Sequence, residues 1–374
     1  MGERVLVTGG AGFIGSHLVD TLFEKGYFVR VYDNLEPQVH GKSQNIPDYF
    51  NKEVELIKGD VRDREKLKKA INNIDVVFHL AASVGVAQSM YEIAKYTESN
   101  TMGGATLLDL IANEKHNIRK VVVASSMSVY GEGAYSCNNC GKAYPKIRSL
   151  EQFKRNDWEM KCPNCNLDVK PIPTSEDKPL FPTSIYAVSK RDHEEMFLII
   201  GKAYQIPTVA LRFFNVYGPR QALSNPYTGV AAIFSSRIIN NNPPIIFEDG
   251  NQARDFVHVS DIVQACILAI EKSEGDYQVF NVGTGRKLSV LDVANVLMDK
   301  LSFKGEPQIV NRFREGDIRH CYADISLIEK VLGYGPKVKF EDGIIDLVNW
   351  VKLQKAEDKV NFAIDILDKK GLTK

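Results

Sequence analysis

Short apolar runs alternate with longer amphipathic segments through the first 220 residues of the chain. The runs are rich in Val, Ile and Leu, which is typical of buried strands, and the segments between them carry apolar residues at helical spacing. Strands are predicted at 5–7, 27–33, 54–60, 75–80 and 121–124, and a strand followed by a turn at 209–220. Helices are predicted at 12–22, 64–72, 91–116 and from 185. This alternation predicts an α/β fold, a Rossmann-type doubly wound parallel sheet with right-handed crossovers.

The remaining pattern divides the chain into three parts. Residues 134–170 break the alternation, and the chain after 220 is less regular. In that last part we predict a helix at 230–240, strands at 245–247, 256–258 and 279–285, and a helical stretch around Trp350; residues 36–51 are predicted as a polar loop. We therefore expect a Rossmann domain from 1–133 and 171–220, an insertion at 134–170, and a smaller α/β part at 221–374 with returns to the first domain.

The first predicted strand leads into a glycine turn and a helix. Gly9, Gly12 and Gly15 are spaced so that backbone N–H groups and the helix N-terminus face a pyrophosphate. Gly9 would make the turn, Gly12 would let the phosphates approach, and Gly15 would let the helix pack closely. The second strand ends at Asp33, in the position that accepts the ribose hydroxyls of NAD and repels the phosphate of NADP. We infer an NAD site; the alternative is that Asp33 only caps the next turn.

Small and polar residues at the ends of the third and fourth strands extend this predicted site. Asp60 either holds the adenine or, like Asp63, caps the following helix, and Ala81 and Ala82 allow close approach of the cofactor. The residues predicted to bind NAD are Gly9, Gly12, Phe13, Ile14, Gly15, Asp33, Asn34, Asp60, Val61, Leu80, Ala81, Ala82, Tyr186 and Lys190. His79 lies within an apolar strand and is predicted to be a core residue.

Four of the six cysteines form two Cys-x-x-Cys pairs inside the insertion. Between the pair Cys137 and Cys140 and the pair Cys162 and Cys165 lie 21 intervening residues, a spacing typical of a zinc ribbon with four thiolates around a structural ion. Two disulfides are the alternative, which a reducing compartment disfavours. Residues 131–170 carry seven Lys/Arg and five Asp/Glu, too small an excess of positive charge for a nucleic-acid site.

A Tyr-x-x-x-Lys pair opens the helix that follows the insertion. Tyr186 and Lys190 lie four residues apart and therefore on one helical face. A neighbouring ammonium favours the phenolate, so we expect Lys190 to lower the pKa of Tyr186. Such a tyrosine serves as a general base towards a sugar hydroxyl.

The overall charge and the hydropathy pattern limit the classes of partner and the cellular location that we expect. Lys+Arg and Asp+Glu balance at 47 each, so we expect neither nucleic acid nor anionic membrane as a partner. The first ten residues lack the pattern of a signal peptide, and no apolar run approaches the length of about 18 residues that spans a bilayer. A soluble cytoplasmic protein is expected.

Several ordered motifs together give the chain a family resemblance. It resembles an extended short-chain dehydrogenase/reductase of the nucleotide-sugar epimerase/dehydratase group over nearly its whole length outside the insertion. The shared segments are 8–15, 125–131, 186–190, 212–219, 252–261 and 281–291. The resemblance implies NAD as cofactor, a nucleotide-diphosphate sugar as substrate, and a homodimer formed through the helices at 91–116 and 185–204.

The same resemblance implies roles for the catalytic residues. Ser126 matches the residue that hydrogen-bonds the C4 oxygen of the sugar, Tyr186 the catalytic base, and Lys190 the residue that holds the ribose and lowers the tyrosine pKa. The related 4,6-dehydratases carry Asp and Glu where this chain has Met127 and Ser128. Neither residue can shuttle the proton of that elimination, so the resemblance implies epimerisation at C4, with Met127 beside the substrate.

Three further positions match substrate ligands of this group. Asn215 matches the asparagine that contacts the diphosphate, and Arg254 and Arg314 match the arginines that grip it. A guanidinium fork suits phosphate oxygens. A surface ion pair is the alternative for either arginine.

The sugar is predicted from finer similarities. Segment 213–229, together with the insertion after Gly133, is similar to members of this group that convert dTDP-L-rhamnose to dTDP-6-deoxy-L-talose. Cys321 falls where UDP-galactose 4-epimerases place a gate residue, so UDP-glucose or UDP-N-acetylglucosamine is the alternative substrate. Cys321 itself is alternatively an ordinary core residue. A 4-ketoreductase or dehydrogenase that exchanges its cofactor, and a non-catalytic NAD-binding module, also stay open.

Overall fold

A computed structural model describes residues 2–42 and 44–374. The strands are β1 Arg4–Thr8, β2 Phe28–Asp33, β3 Glu55–Lys58, β4 Val76–His79, β5 Lys120–Ser126, β6 Ala134–Cys137, β7 Gly141–Ala143, β8 Lys170–Ile172, β9 Thr208–Phe213, β10 Asn215–Tyr217, β11 Ile245–Ile246, β12 Ala253–Arg254, β13 Phe256–His258, β14 Val279–Val282, β15 Leu288–Ser289, β16 Gln308–Ile309 and β17 His320–Cys321. The α-helices are α1 Phe13–Glu24, α2 Pro37–His40, α3 Arg64–Ala70, α4 Val86–Ser89, α5 Ile93–Tyr96, α6 Gly103–Asn113, α7 Leu150–Lys154, α8 Ile185–Ala203, α9 Val230–Ile239, α10 Val259–Glu271, α11 Val290–Lys300, α12 Ser326–Leu332, α13 Phe340–Lys352 and α14 Val360–Lys369.

Seven parallel strands form the central sheet, in the order β14-β9-β5-β4-β1-β2-β3. β1 pairs with β2 on one side and with β4 on the other, so the strand order reverses at β1. In open parallel sheets such a reversal opens a crevice at the carboxyl ends of the strands, where ligands bind. The predicted Rossmann-type α/β fold is confirmed.

Helices cover both faces of this sheet because the central strands are apolar on both faces. Val5, Leu6 and Val7 of β1 are completely buried, as expected for a parallel strand with helices above and below it. Val5 and Val7 belong to a core with α1 and α10, whereas Leu6 belongs to a second core with α3, α6 and α8.

The chain after residue 220 contributes to two places. α9, α11 and α13 pack around a core of their own. α10 and β14 return to the central sheet, where β14 pairs with β9 as its outermost strand. The C-terminal part is therefore interleaved with the sheet rather than appended to it.

The predicted elements differ from the structure at several points: α10, α11 and α12 are absent from the prediction, and the strand predicted from 209 divides into β9 and β10. The predicted loop at 36–51 contains the single-turn helix α2, and Ser43 of that loop lies outside the described residues. The predicted helix at 91–116 consists of α5, a π-helical turn at Thr97–Met102 and α6, and it ends at Asn113. The short helix α4 was not predicted.

The insertion forms a small unit with its own core. β6 pairs antiparallel with both β7 and β8. Tyr135, Ala143, Met160 and Val169 pack against the cysteines. Along the described part of the chain, no helix combines the length and apolar character needed to cross a membrane.

Candidate active site

The glycine turn after β1 has the close contacts that its sequence predicts. Gly9 has φ +71°, and a Cβ there would lie 2.8 Å from the backbone N of Ala81. A Cβ on Gly15 would lie 2.2 Å from the carbonyl oxygen of Gly9, so α1 packs directly on the turn. At Gly12 the nearest atom is 3.4 Å away, which leaves the space above the N-terminus of α1 open. This open cradle fits a pyrophosphate.

Asp33 and Asp60 lie beside the turn in different surroundings. The Asp33 carboxylate is 93% buried and accepts hydrogen bonds from the N–H groups of Ala11 (3.0 Å) and Leu35 (2.8 Å). A hydrogen bond from Arg62 lowers the pKa of Asp60 to about 2. Asp63, rather than Asp60, caps α3, through the N–H of Lys66. Both Asp33 and Asp60 face the cleft described next.

A single cleft of about 660 Å³ lies at the carboxyl ends of the sheet. Every residue predicted for cofactor binding, catalysis and substrate binding lines this cleft. The four cysteines do not line it. The structure thus brings together residues from position 9 to position 314, with the glycine turn at one end and Arg254 and Arg314 at the other.

The first turn of α8 positions the predicted base. The Ser184 side chain accepts a hydrogen bond from the N–H of Ala187, and the Ser89 hydroxyl accepts one from the N–H of Tyr186. Lys190 follows one helical turn later and is 97% buried, with its ammonium donating to the Ala124 carbonyl at 2.9 Å. These contacts fix the helix start and the lysine against the end of β5.

The pKa values of this pair differ from the sequence expectation. Burial raises the pKa of Tyr186 to about 12, partly offset by a hydrogen bond with Ser126. Burial also lowers the pKa of Lys190 to about 7. The expected lowering of the tyrosine pKa by Lys190 does not appear, because loss of solvation dominates the pKa at both groups.

Ser126 ends β5 and caps the short 3₁₀ turn Met127–Tyr130. Its hydroxyl oxygen accepts hydrogen bonds from the Ser128 N–H (3.2 Å) and hydroxyl (3.0 Å). Met127 and Ser128 also line the cleft. The wall beside Tyr186 therefore offers hydroxyl groups and a thioether, and neither residue after Ser126 carries a carboxylate.

The predicted substrate residues lie at the other end of the cleft. The side-chain oxygen of Asn215 is buried and has no hydrogen-bond partner within the described chain. The Arg254 guanidinium donates to the carbonyls of Ile318 (2.6 Å) and Arg319 (2.9 Å). Arg314 pairs with Asp317 at 2.7 Å and lies 4.6 Å above the Phe247 ring. Two fixed guanidinium groups suit an anionic ligand, and the unpartnered amide oxygen can accept a hydrogen bond from a ligand hydroxyl.

Sequence reasoning missed two parts of the cleft wall. Gln38 donates to Gln88 (2.8 Å) and to Asn225 (3.0 Å), which joins the two sides of the cleft. Helix α14 supplies an apolar wall of Val360, Ala363, Ile364 and Leu367. The amphipathic pattern of α14 was the only available signal, and it does not say what the helix faces.

The four cysteines of the insertion come together as predicted. Their Sγ atoms all lie within 4.8 Å of one another, and those of Cys137 and Cys165 are 3.5 Å apart. Four thiolates around zinc have sulfur–sulfur distances of about 3.8 Å, so the arrangement fits a tetrahedral ion. All six cysteines carry free thiols, which opposes the disulfide alternative.

Two other residues from the sequence analysis are core residues. His79 is completely buried; its Nδ1 lies 3.0 Å from the Thr8 hydroxyl, and burial lowers its pKa to about 3. Cys321 is 99% buried in β17 and does not line the cleft. The structure therefore supports the core interpretation of Cys321 over a gate role.

Comparison with known proteins agrees with this architecture. The model of the NAD dependent epimerase/dehydratase family matches residues 5–155 and 164–283, and the gap in the match falls inside the insertion. The dTDP-L-rhamnose 4-epimerase of Burkholderia thailandensis is 32% identical over 352 residues, covering 94% of this chain and 95% of the relative.

Solved structures match over a similar length. The UDP-N-acetylglucosamine 4-epimerase of Methanobrevibacter ruminantium, in complex with UDP-N-acetylmuramic acid, is 33% identical with a TM-score of 0.75, covering 95% of this chain and all of its own. The UDP-glucose 4-epimerase of Thermus thermophilus, in complex with NAD, is 29% identical with a TM-score of 0.74, covering 94% of this chain and all of its own. The sequence match and the shared fold together establish that this chain belongs to the NAD-dependent epimerase/dehydratase family.

Proposed function

We propose that this protein is an NAD-dependent 4-epimerase of a nucleotide-diphosphate sugar. The observation that carries the proposal is the single cleft that holds Ser126, Tyr186 and Lys190 between an open glycine turn and two fixed arginines. The relatives named above are nucleotide-sugar 4-epimerases that act on different sugars. The glycine turn and Asp33 would hold the NAD.

In the proposed mechanism, this chain orients the sugar and moves one proton. Bound NAD supplies the acceptor and donor of the C4 hydride. Ser126 hydrogen-bonds the C4 oxygen, Tyr186 takes the proton of the C4 hydroxyl and later returns it, and the Lys190 ammonium stabilises the phenolate. Since proton and hydride both return to the sugar, the reaction consumes no oxidant.

Inversion at C4 requires the 4-keto sugar to present its opposite face before the hydride returns. Arg254 and Arg314 would hold the substrate by its diphosphate, which leaves the sugar free to turn. The proposed site supplies no carboxylate after Ser126, so the pocket lacks the acid–base pair for dehydration.

We infer that the sugar is dTDP-L-rhamnose, which would be converted to dTDP-6-deoxy-L-talose. Support comes from the Burkholderia relative at 32% identity over nearly the full length. UDP-N-acetylglucosamine is the second candidate, favoured by the similar fold of the Methanobrevibacter enzyme.

One assay tests activity and substrate together. The purified enzyme, with no NAD added, is offered dTDP-L-rhamnose, UDP-glucose and UDP-N-acetylglucosamine separately, and the products are followed by NMR. We expect the C4 epimer of dTDP-L-rhamnose without net NADH. Epimerisation of a UDP-sugar alone would replace the substrate assignment. NADH accumulation without any epimer would overturn the epimerase in favour of a dehydrogenase.

We also propose that Cys137, Cys140, Cys162 and Cys165 bind a structural zinc ion. The thiol distances and the separation from the cleft support a closed site. Metal analysis of the purified protein should give one zinc per chain. A Cys140→Ser, Cys165→Ser variant should lose the zinc and retain NAD; full zinc content in that variant would refute the site.

We further propose a homodimer formed through α5, α6 and α8 with the π-helical turn between the first two. Four apolar side chains on these helices are at least 40% exposed: Ile93, Met102, Val188 and Ile199. Sedimentation should show a dimer that Ile199→Glu converts to monomers. An unchanged dimer in that variant would place the interface elsewhere.

A further inference from the structure

The insertion is tied to the C-terminal part by an ion cluster whose two arginines are buried. We use this name for Arg148 and Glu159 of the insertion together with Glu248, Asp249 and Arg319. Arg148 is 95% buried and donates two hydrogen bonds to Glu248, at 2.7 and 2.9 Å. Arg319 is 99% buried and pairs with Glu248 at 3.0 Å, and with Asp249 and Glu159 at 2.6 Å. Charged hydrogen bonds of defined geometry therefore join the two parts.

Glu159 fixes the backbone that holds Arg254. Its Oε1 accepts from two nitrogens of Arg319, at 2.6 and 3.1 Å, and the Arg319 carbonyl in turn accepts from the Arg254 guanidinium. The other oxygen, Oε2, lies 3.1 Å from Nε2 of His320. The insertion therefore sets the position of the segment directly before β17, whose carbonyls hold the Arg254 guanidinium.

The imidazole ring of His320 also contacts the strand that bears Arg254. Its Nδ1 accepts a hydrogen bond from the N–H of Ala253, the residue before Arg254, at 3.0 Å. Nε2 therefore carries the proton and donates to Glu159. A carboxylate of the insertion is thus linked through one imidazole to the backbone of the strand that bears Arg254.

Side chains of the insertion also contact residues next to Arg314 and next to the ring beneath it. Phe153 stacks on Phe313, with ring centroids 3.9 Å apart and planes 7° from parallel. Phe313 directly precedes Arg314. Phe247, under the Arg314 guanidinium, directly precedes Glu248, which Arg148 clamps. Both sides of Arg314 are therefore backed by side chains of the insertion.

We infer that Arg148, Phe153 and Glu159 are positioning residues for the substrate diphosphate, acting through Arg254 and Arg314. The inference rests on the proposed function, since it takes these two arginines as the diphosphate ligands. It gives the insertion a role in substrate affinity although its cysteines lie outside the cleft. Contacts that bind ground state and transition state alike change KM rather than kcat.

The test compares two arginines of the same insertion. Arg148→Met removes the clamp on Glu248, and Arg155→Met, at an exposed position, is the matched control. The protein with its bound NAD is titrated with dTDP and with UDP by calorimetry, and KM and kcat are measured for the sugar that the wild type epimerises. For Arg148→Met we expect Kd and KM to rise about tenfold or more, with kcat within about twofold and NAD content unchanged.

Phe153→Leu is the second variant, because a buried arginine replacement can prevent folding. It keeps an apolar side chain and removes the ring stack, and should raise Kd and KM about threefold to tenfold. Unchanged nucleotide affinity in a folded variant that retains NAD and metal would overturn the inference, as would a loss of kcat alone. A wild type that binds neither dTDP nor UDP would overturn the proposed function itself, a failure seen without any variant.

Discussion

At the scale of single residues, Tyr186 carries the proposed proton transfer. Tyr186→Phe removes the hydroxyl while keeping the ring, so NAD content and fold should be retained. We expect kcat to fall by about 10²- to 10⁴-fold, the usual contribution of a general base. The measurement is the rate of C4 epimer formation by NMR. Tyr204→Phe, at an exposed residue that ends the same helix, is the control; an equal loss there, or none at Tyr186, would contradict the assignment.

Asp249 makes a prediction about acid stability. Burial alone would raise its pKa, but hydrogen bonds from Arg319 and from Asn251 outweigh burial and bring the pKa to about 2, against 3.8 in the unfolded chain. A pKa that is lower in the folded state stabilises the protein above the unfolded value, and this stabilisation is lost as the pH falls from about 4 to about 2. The contribution is about 2 kcal/mol at most.

The measurement is the difference in thermal midpoint between the wild type and Asp249→Asn. We expect a clear difference at pH 6 that shrinks towards pH 2, because the wild-type carboxylate is then protonated. Any loss of the proposed zinc in acid would affect both proteins alike and cancels in this difference. Asp299→Asn, in an exposed pair with Lys300, is the control. A difference that does not change with pH would contradict the argument.

At the scale of elements, substitutions in the glycine turn between β1 and α1 distinguish an effect on packing from an effect on NAD binding. Gly15→Ala would put a Cβ 2.2 Å from the Gly9 carbonyl oxygen, so the turn must move. We expect the free energy of unfolding to fall by about 1–3 kcal/mol and the bound NAD to be lost. In Gly12→Ala the nearest atom to the added Cβ is 3.4 Å away, so the free energy of unfolding should fall by no more than about 1 kcal/mol. NAD content should still fall, because the methyl group enters the space proposed for the pyrophosphate.

NAD released on denaturation and the free energy of unfolding in urea measure the two effects. Gly335→Ala, where an added Cβ has open space, is the control and should change neither. A Gly12→Ala protein with full NAD would show that the pyrophosphate does not lie on this turn.

The elements predicted correctly are those whose signal is local. The fully apolar strands and the glycine spacing give the parallel sheet directly, and each Cys-x-x-Cys pair defines its own turn. The π-helical turn was missed because it depends on Asn100, a buried residue whose side chain bonds Ser83 and Ser189. Those partners come from other segments, and no local pattern contains them.

The pKa values of the Tyr186–Lys190 pair show the same limit at the scale of the site. Spacing on a helix correctly placed the two groups on one face. Spacing says nothing about burial, and burial dominates both pKa values in the structure. A prediction from sequence therefore gives the identity of such a pair more reliably than its electrostatics.

At the scale of the whole molecule, the cleft is assembled from segments that lie far apart in the chain. The central sheet supplies the glycine turn and Ser126, and helix α8 supplies Tyr186 and Lys190, whereas the insertion backs the two arginines. The C-terminal residues pair with the segment that bears Arg314: Phe313 and Lys374 exchange two backbone hydrogen bonds, at 3.0 and 3.1 Å, and Leu372 accepts one from Glu315 at 2.9 Å. Residues 372–374 therefore help to hold a proposed substrate ligand.

Deletion of residues 372–374 tests this role. It removes the three backbone hydrogen bonds on either side of Arg314, so the arginine should lose its fixed position. We expect the Kd for dTDP or UDP, measured by calorimetry, to rise about tenfold, comparable with the net loss of one hydrogen bond. NAD content should not change, because the glycine turn lies at the other end of the cleft. Lys374→Ala keeps the backbone pairing and should bind the nucleotide normally. If the deletion also binds normally, Arg314 is held by Asp317 and Phe247 without help from the C-terminal residues.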